Sequence, residues 1–215
     1  MENLNCTVRR LPIYLVLDCS GSMRGQPMEA VKQGISQLLA DLRSDPQALE
    51  TVWLSVITFD SEAQQLEPLT EIHEFREPPL KAGGSTALGK ALKLLADCFE
   101  REVRKTTAEH KGDWRPLVFL MTDGRPADAW KRAADDLKTR HANIIACGAG
   151  AATHEANLKR ITDIVVRLDD LAPGTIAQFF KWVSASIATA SRSVGTSGEA
   201  PFGLPPPPPV LQIVP

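Results

Sequence analysis

Three short segments of this 215-residue chain carry side chains whose types and spacing suit one kind of chemistry. The first is Asp18-Cys19-Ser20-Gly21-Ser22, a D-x-S-x-S pattern. In an extended segment alternate residues share a side, so Asp18, Ser20 and Ser22 present three oxygens together. The second is Gly83-Gly84-Ser85-Thr86, a flexible loop that delivers the Thr86 hydroxyl near a helix start. The third is Thr122-Asp123-Gly124, a carboxylate just past an apolar run. Together they offer two carboxylates and three hydroxyls. An all-oxygen set of this size suits a hard divalent cation and favours Mg²⁺, with Mn²⁺ or Ca²⁺ as other occupants. Five side chains leave room for water or an incoming ligand.

Those segments need elements that bring them to one place. The chain alternates short apolar runs with helical periodicity, the pattern of a parallel α/β sheet. Strands are predicted over residues 13–17, 51–59, 117–121, 143–147 and 164–168, with a short antiparallel edge strand over 62–66. Helices are predicted from about Pro27 through Leu42, along Leu88, Leu92, Leu95, Phe99 and Val103, over 127–139, over 155–160, and from Pro173 through Ile187. Ser85 or Thr86 is the expected cap of the second helix. The expected architecture is a Rossmann-like, doubly wound fold with a mainly parallel sheet between two helix layers. In such a sheet ligands bind beyond the carboxyl ends of the strands, near the point where strand order reverses. All three segments are expected there.

Asp18, Ser20, Ser22, Thr86 and Asp123, in this order and on these elements, resemble the metal-ion-dependent adhesion site of von Willebrand factor A domains. The resemblance spans about residues 11–192 and no motif position departs from the family's residue types. It implies that Ser20, Ser22 and Thr86 bind the metal largely through hydroxyls, while Asp18 and Asp123 often act through bound waters. It also implies a metal-bridged grip on an Asp or Glu of a partner protein, and no catalysis. Within the family the chain is most similar to the bacterial tellurium-resistance TerY-like group. That similarity implies a cytoplasmic role in a stress-response or phosphorylation pathway, with a serine/threonine kinase or a PP2C-type phosphatase as partner.

Other signals point elsewhere and are weaker. Residues 84–90 fit the first seven positions of G-x-x-x-x-G-K, but Ala91 stands where a phosphate-binding loop needs Ser or Thr. Lys90 is therefore expected on an exposed helix face. A metal-dependent hydrolase using the same site is the enzyme alternative, and it would need a general base, for which His154 is the one candidate. His73, His110 and His141 have no ligand-like spacing. Arg24 and Arg125 flank the metal loops and could pair with a partner's acids, or with Glu29 and Asp123.

The composition sets the frame. With 43% hydrophobic residues, 23% charged residues and a net charge of −2, the chain can bury a sizeable core. It has no electrostatic reason to seek nucleic acid or an anionic membrane. Residues 1–10 are polar, and no apolar run approaches the roughly 20 residues needed to span a bilayer. A cytoplasmic location is expected, with Cys6, Cys19, Cys98 and Cys147 as reduced thiols. Residues 193–215 turn to Gly, Ser and Pro, with prolines at every position from 205 to 209. That segment is expected to be a tail outside the core, either without a partner or docking as polyproline II and a strand on a partner's sheet edge.

Overall fold

The computed structural model describes residues 9–109, 111–150, 155–196 and 203–214. Seven strands form one sheet: β1 (Leu11–Asp18), β2 (Val52–Phe59), β3 (Ala63–Glu71), β4 (Leu117–Thr122), β5 (Asn143–Ala149), β6 (Ile164–Leu168) and β7 (Leu211–Val214). Their order is β3-β2-β1-β4-β5-β6-β7. The inner strands pair in parallel, and β3 and β7 pair antiparallel at the two edges. Six helices among the described residues flank it: α1 (Gln26–Ser44), α2 (Pro46–Thr51), α3 (Leu88–Glu102), α4 (Lys131–Lys138), α5 (Glu155–Ile161) and α6 (Pro173–Thr196). This is the doubly wound α/β class expected from the alternation of periods.

Both faces of the sheet are covered, which explains why its central strands read as continuous apolar runs rather than alternating ones. Leu11, Ile13, Leu15 and Leu17 of β1 point to one face and pack with α1 and α6. Tyr14 and Val16 point to the other and pack with α3, α4 and α5. In β4, Leu117, Phe119 and Met121 join the first cluster, while Val118 and Leu120 join the second. The strand order reverses direction between β1 and β4. Their carboxyl ends, at Asp18 and Thr122, therefore flank the crevice of the switch point.

The elements differ from expectation in a few places. Thr51 closes α2, a short helix capped by the Asp45 carboxylate on the amides of Gln47 and Ala48, so β2 begins one residue later. The edge strand is longer than expected, because β3 runs to Glu71 with a polar, half-exposed pattern. Helix α4 begins at Lys131 rather than near Ala127. Neither Ser85 nor Thr86 caps α3 through its side chain. Its first amides, Gly89 and Lys90, instead donate to the two oxygens of Asp128 at 2.9 and 3.0 Å.

The largest correction concerns the carboxyl-terminal segment. Helix α6 extends to Thr196, and β7 adds to the chain's own sheet rather than a partner's. Leu211 pairs with Leu168 and is buried in the core shared with α6. Burial of one leucine is worth about 1.5–3 kcal/mol. The Trp182 indole N–H donates to the Pro205 carbonyl at 3.0 Å, tying the proline run to α6. The composition argument failed because a four-residue strand needs no core of its own when a neighbouring edge awaits pairing. Residues 1–8, 197–202 and 215 of the two expected terminal segments lie outside the described residues.

Candidate metal centre

Asp18 is the last residue of β1, and the chain turns immediately through a single 3₁₀ turn at Gly21–Met23 before α1. The turn is held by the Asp18 carboxylate itself: Oδ1 accepts the Ser20 N–H at 2.8 Å. Two backbone bonds clasp this loop to the second segment. The Gly83 N–H donates to the Cys19 carbonyl at 2.8 Å, and the Gly21 N–H donates to the Gly84 carbonyl at 3.1 Å. Gly84 takes a positive φ of 70°, and a Cβ there would lie 2.6 Å from the Ser61 hydroxyl. Both facts call for glycine.

The hydroxyls and carboxylates then meet. The Ser20 and Ser22 hydroxyl oxygens lie 3.1 Å apart, and the Ser22 hydroxyl donates to Asp123 Oδ1 at 2.9 Å. Thr86 is carried to the same point from the other side. Its carbonyl accepts the Ala127 N–H at 2.8 Å, binding the second loop to the third. Its hydroxyl sits against Gly124, where a Cβ would approach Thr86 Oγ1 to 2.9 Å. The fold thus brings Asp18, Ser20, Ser22, Thr86 and Asp123 into one cluster. Asp18 and Ser20 are 2% exposed, Asp123 5% and Thr86 8%, whereas Ser22 opens to solvent.

Burial in this crevice raises the pKa of both carboxyls above the ordinary carboxylate range. For Asp18 desolvation dominates, hydrogen bonds from Ser20 and Thr122 oppose it, and the nearby Asp123 charge adds to it. For Asp123 desolvation again leads, opposed by the Ser22 hydroxyl. Among the described residues no Lys, Arg or His forms an ion pair with either. Two buried carboxylates facing three hydroxyls, with no protein cation between them among the described residues, fit a small divalent ion. No group of three His, Cys, Asp or Glu side chains among the described residues could hold a metal without hydroxyl donors.

Several neighbours resolve questions that spacing left open. Lys90 pairs with Glu62 at 2.5 Å and donates to the Ser61 carbonyl at 3.0 Å, on the exposed face expected of it. The amides at the start of α3, which a phosphate would need, are taken by Asp128. Arg24 reaches neither Asp123 nor Glu29: its Nε donates to the Ala82 carbonyl at 3.4 Å, and Glu29 binds Lys32. Arg125 is exposed. Cys19, Cys98 and Cys147 are buried free thiols, and burial pushes the Cys19 thiol up to about 12. Cys6, His110 and the candidate base His154 lie outside the described residues. Sequence reasoning missed Thr122, whose hydroxyl donates to Asp18 Oδ2 at 2.5 Å, and the Asp128 cap.

The family model of the von Willebrand factor type A domain matches residues 13–171, which is most of the chain and holds all five site residues. The chain belongs to the von Willebrand factor A family. That family comprises metal-dependent interaction modules. An uncharacterized protein of the cyanobacterium Synechocystis sp. is 40% identical over 124 residues, covering 54% of this chain and 26% of that protein. Among solved folds, the proximal thread matrix protein 1 of mussel byssus, with a zinc-occupied metal-ion-dependent adhesion site, aligns at TM-score 0.60. It is 20% identical and covers 83% of this chain and 48% of its own. The ArnB paralog VWA2 of Sulfolobus acidocaldarius aligns at TM-score 0.62 with 18% identity, covering 84% of this chain and 46% of its own. This A domain therefore spans about a quarter of the cyanobacterial protein and about half of these structures. Among its described residues no helix is long and apolar enough to cross a membrane.

Proposed function

We propose that this A domain binds a protein partner through a divalent cation held by Asp18, Ser20, Ser22, Thr86 and Asp123, and that its role is adhesion rather than turnover. The observation that carries this reading is the convergence of the five side chains at the switch point, with their two carboxylates uncompensated by any described basic residue. A bound cation would supply a Lewis-acidic position that accepts a carboxylate oxygen from the partner. The protein's part is to position that site. Ser20, Ser22 and Thr86 present neutral donors, so the set carries only two formal negative charges. Ser22, the exposed member, lies where a partner's side chain would enter.

Mg²⁺ is the expected ion because the donors are all hard oxygens. Zinc in the corresponding site of the mussel protein supports a divalent occupant without deciding which one. The resemblance to the TerY-like group extends the proposal to a cytoplasmic bacterial stress-response or phosphorylation pathway, with a kinase or PP2C-type phosphatase presenting the Asp or Glu.

Isothermal titration with MgCl₂ tests the site directly. The wild-type chain should bind one ion, and Asp123→Ala should bind none. Equal binding by the two proteins would refute the assignment. For the adhesive role, wild type and Asp123→Ala are used as bait in Mg²⁺ and in EDTA. A partner held only by wild type in Mg²⁺ supports it, and identical partners in all four conditions defeat it.

A further inference from the structure

We infer that Thr122, which lies outside the five-residue motif, is the positioning residue that sets Asp18 for metal binding. The inference rests on the metal-site reading above and concerns how that site is built. Its origin is strand register. β1 and β4 are parallel neighbours with Leu17 opposite Met121, so the next rung places Asp18 beside Thr122. Alternation along both strands puts these two side chains on the same face as Tyr14, Val16, Val118 and Leu120, toward α3 and α4. Thr122 is 2% exposed, as is Asp18, and its hydroxyl donates to Asp18 Oδ2 at 2.5 Å.

That bond does more than satisfy a buried hydroxyl. The Ser20 N–H already holds Oδ1, so with Thr122 on Oδ2 both carboxylate oxygens are pinned and the group cannot rotate about its Cβ–Cγ bond. Thr122 Oγ1 also accepts the Gly124 N–H at 3.4 Å, a long bond that links it to the turn carrying Asp123. Gly124 in turn backs the Thr86 hydroxyl. One hydroxyl thus connects the loop after β1 to the loop after β4, across the crevice between them. Outer hydrogen-bond partners of this kind are worth about 10–100-fold in metal affinity, because the free site no longer spends binding energy on ordering its own ligand. Val has the shape of Thr and fills the same space but cannot donate, whereas Ser keeps the hydroxyl and loses only a methyl.

Mg²⁺ affinities of the wild-type chain, Thr122→Val, Thr122→Ser and Asp18→Asn, with the Asp18→Asn/Thr122→Val double variant, test the inference by titration calorimetry. Thr122→Val should weaken Mg²⁺ by about 10–100-fold while Thr122→Ser stays near wild type. Adding Thr122→Val to Asp18→Asn should cost far less than it does alone, since its effect runs through Asp18. Should Thr122→Val not fold, Thr122→Ala replaces it with the same expectation. Wild-type affinity in the folded Val or Ala variant overturns the inference and leaves the five-residue site standing. So does a full, additive loss in the Asp18→Asn background. Absence of Mg²⁺ binding by wild type removes both.

Discussion

At the amino-terminal end of the sheet the buried Asp113 carboxylate is held by Arg10, whose Nε and terminal nitrogen donate to its two oxygens at 2.8 and 2.5 Å. The side chains are 9% and 2% exposed, and the Arg10 guanidinium also stacks over Trp53, 4.5 Å from the ring centre. At the carboxyl end Asp18 and Asp123 are buried as well, but their partners are hydroxyls and backbone amides. Both ends remove carboxylates from water, which is expensive without a counter-charge. One end supplies that charge from the chain's own sequence and the other does not. The difference separates a clasp, which is complete as folded, from the candidate site, whose carboxylates have no counter-charge among the described residues.

Breaking the clasp should have the largest effect on stability. Arg10→Met keeps an unbranched apolar side chain but removes the guanidinium and leaves Asp113 as an uncompensated buried charge, at a cost of about 3–5 kcal/mol. Denaturant titration in EDTA measures the loss, and Mg²⁺ affinity should be unchanged because the two ends are far apart in the sheet. Stability equal to wild type would show that the Arg104 N–H, which already donates to Asp113 Oδ2 at 2.8 Å, is enough to hold the carboxylate.

The same test at the other end should give the opposite sign. Asp123→Asn removes one of two adjacent buried carboxylates that repel each other, so the metal-free protein should unfold at a temperature no lower than wild type. What it should lose is the Mg²⁺-dependent rise. For wild type that rise corresponds to about 2.7 kcal/mol when Mg²⁺ is 100-fold above its Kd. A clear destabilisation of Asp123→Asn in EDTA would mean that Asp123 is part of the scaffold, and the contrast between the ends would fail.

What the sequence makes legible follows from how locally each feature is determined. The run Leu117-Val118-Phe119-Leu120-Met121 announces a strand covered on both faces, and β4 is that strand. The five candidate residues are visible because each lies in a short loop segment, past a predicted strand for Asp18, Ser20, Ser22 and Asp123 and at a helix start for Thr86. Thr122 escapes notice because its role comes from β1–β4 register, which no single segment encodes. Helix α2 is absent from the predicted elements because its six residues are too few to show a helical period, although Asp45 followed by Pro46 is a cap and a first helical residue. The segment after the proline run reads as a possible strand, but not as one for the chain's own sheet, for a related reason. Leu211 is buried only because β6 offers an edge, and composition carries no record of its neighbours.

Asp128 supplies the finest test of the comparison, since it is a carboxylate near the metal end that the fold itself answers. Its two oxygens accept the Gly89 and Lys90 amides at the start of α3, where the helix dipole also favours negative charge. It lies in the segment that follows the third metal loop, so proximity alone would make it a sixth ligand candidate. Its hydrogen bonds argue otherwise, because both oxygens are committed to a helix terminus that has no other side-chain cap. Asp128→Ala should therefore lower stability by about 1 kcal/mol, the usual value of a lost cap, and leave Mg²⁺ affinity at the wild-type value. Denaturation and calorimetry on one preparation separate the two. A fall in metal affinity with unchanged stability would place Asp128 in the ion's own shell and enlarge the uncompensated end beyond the five residues named.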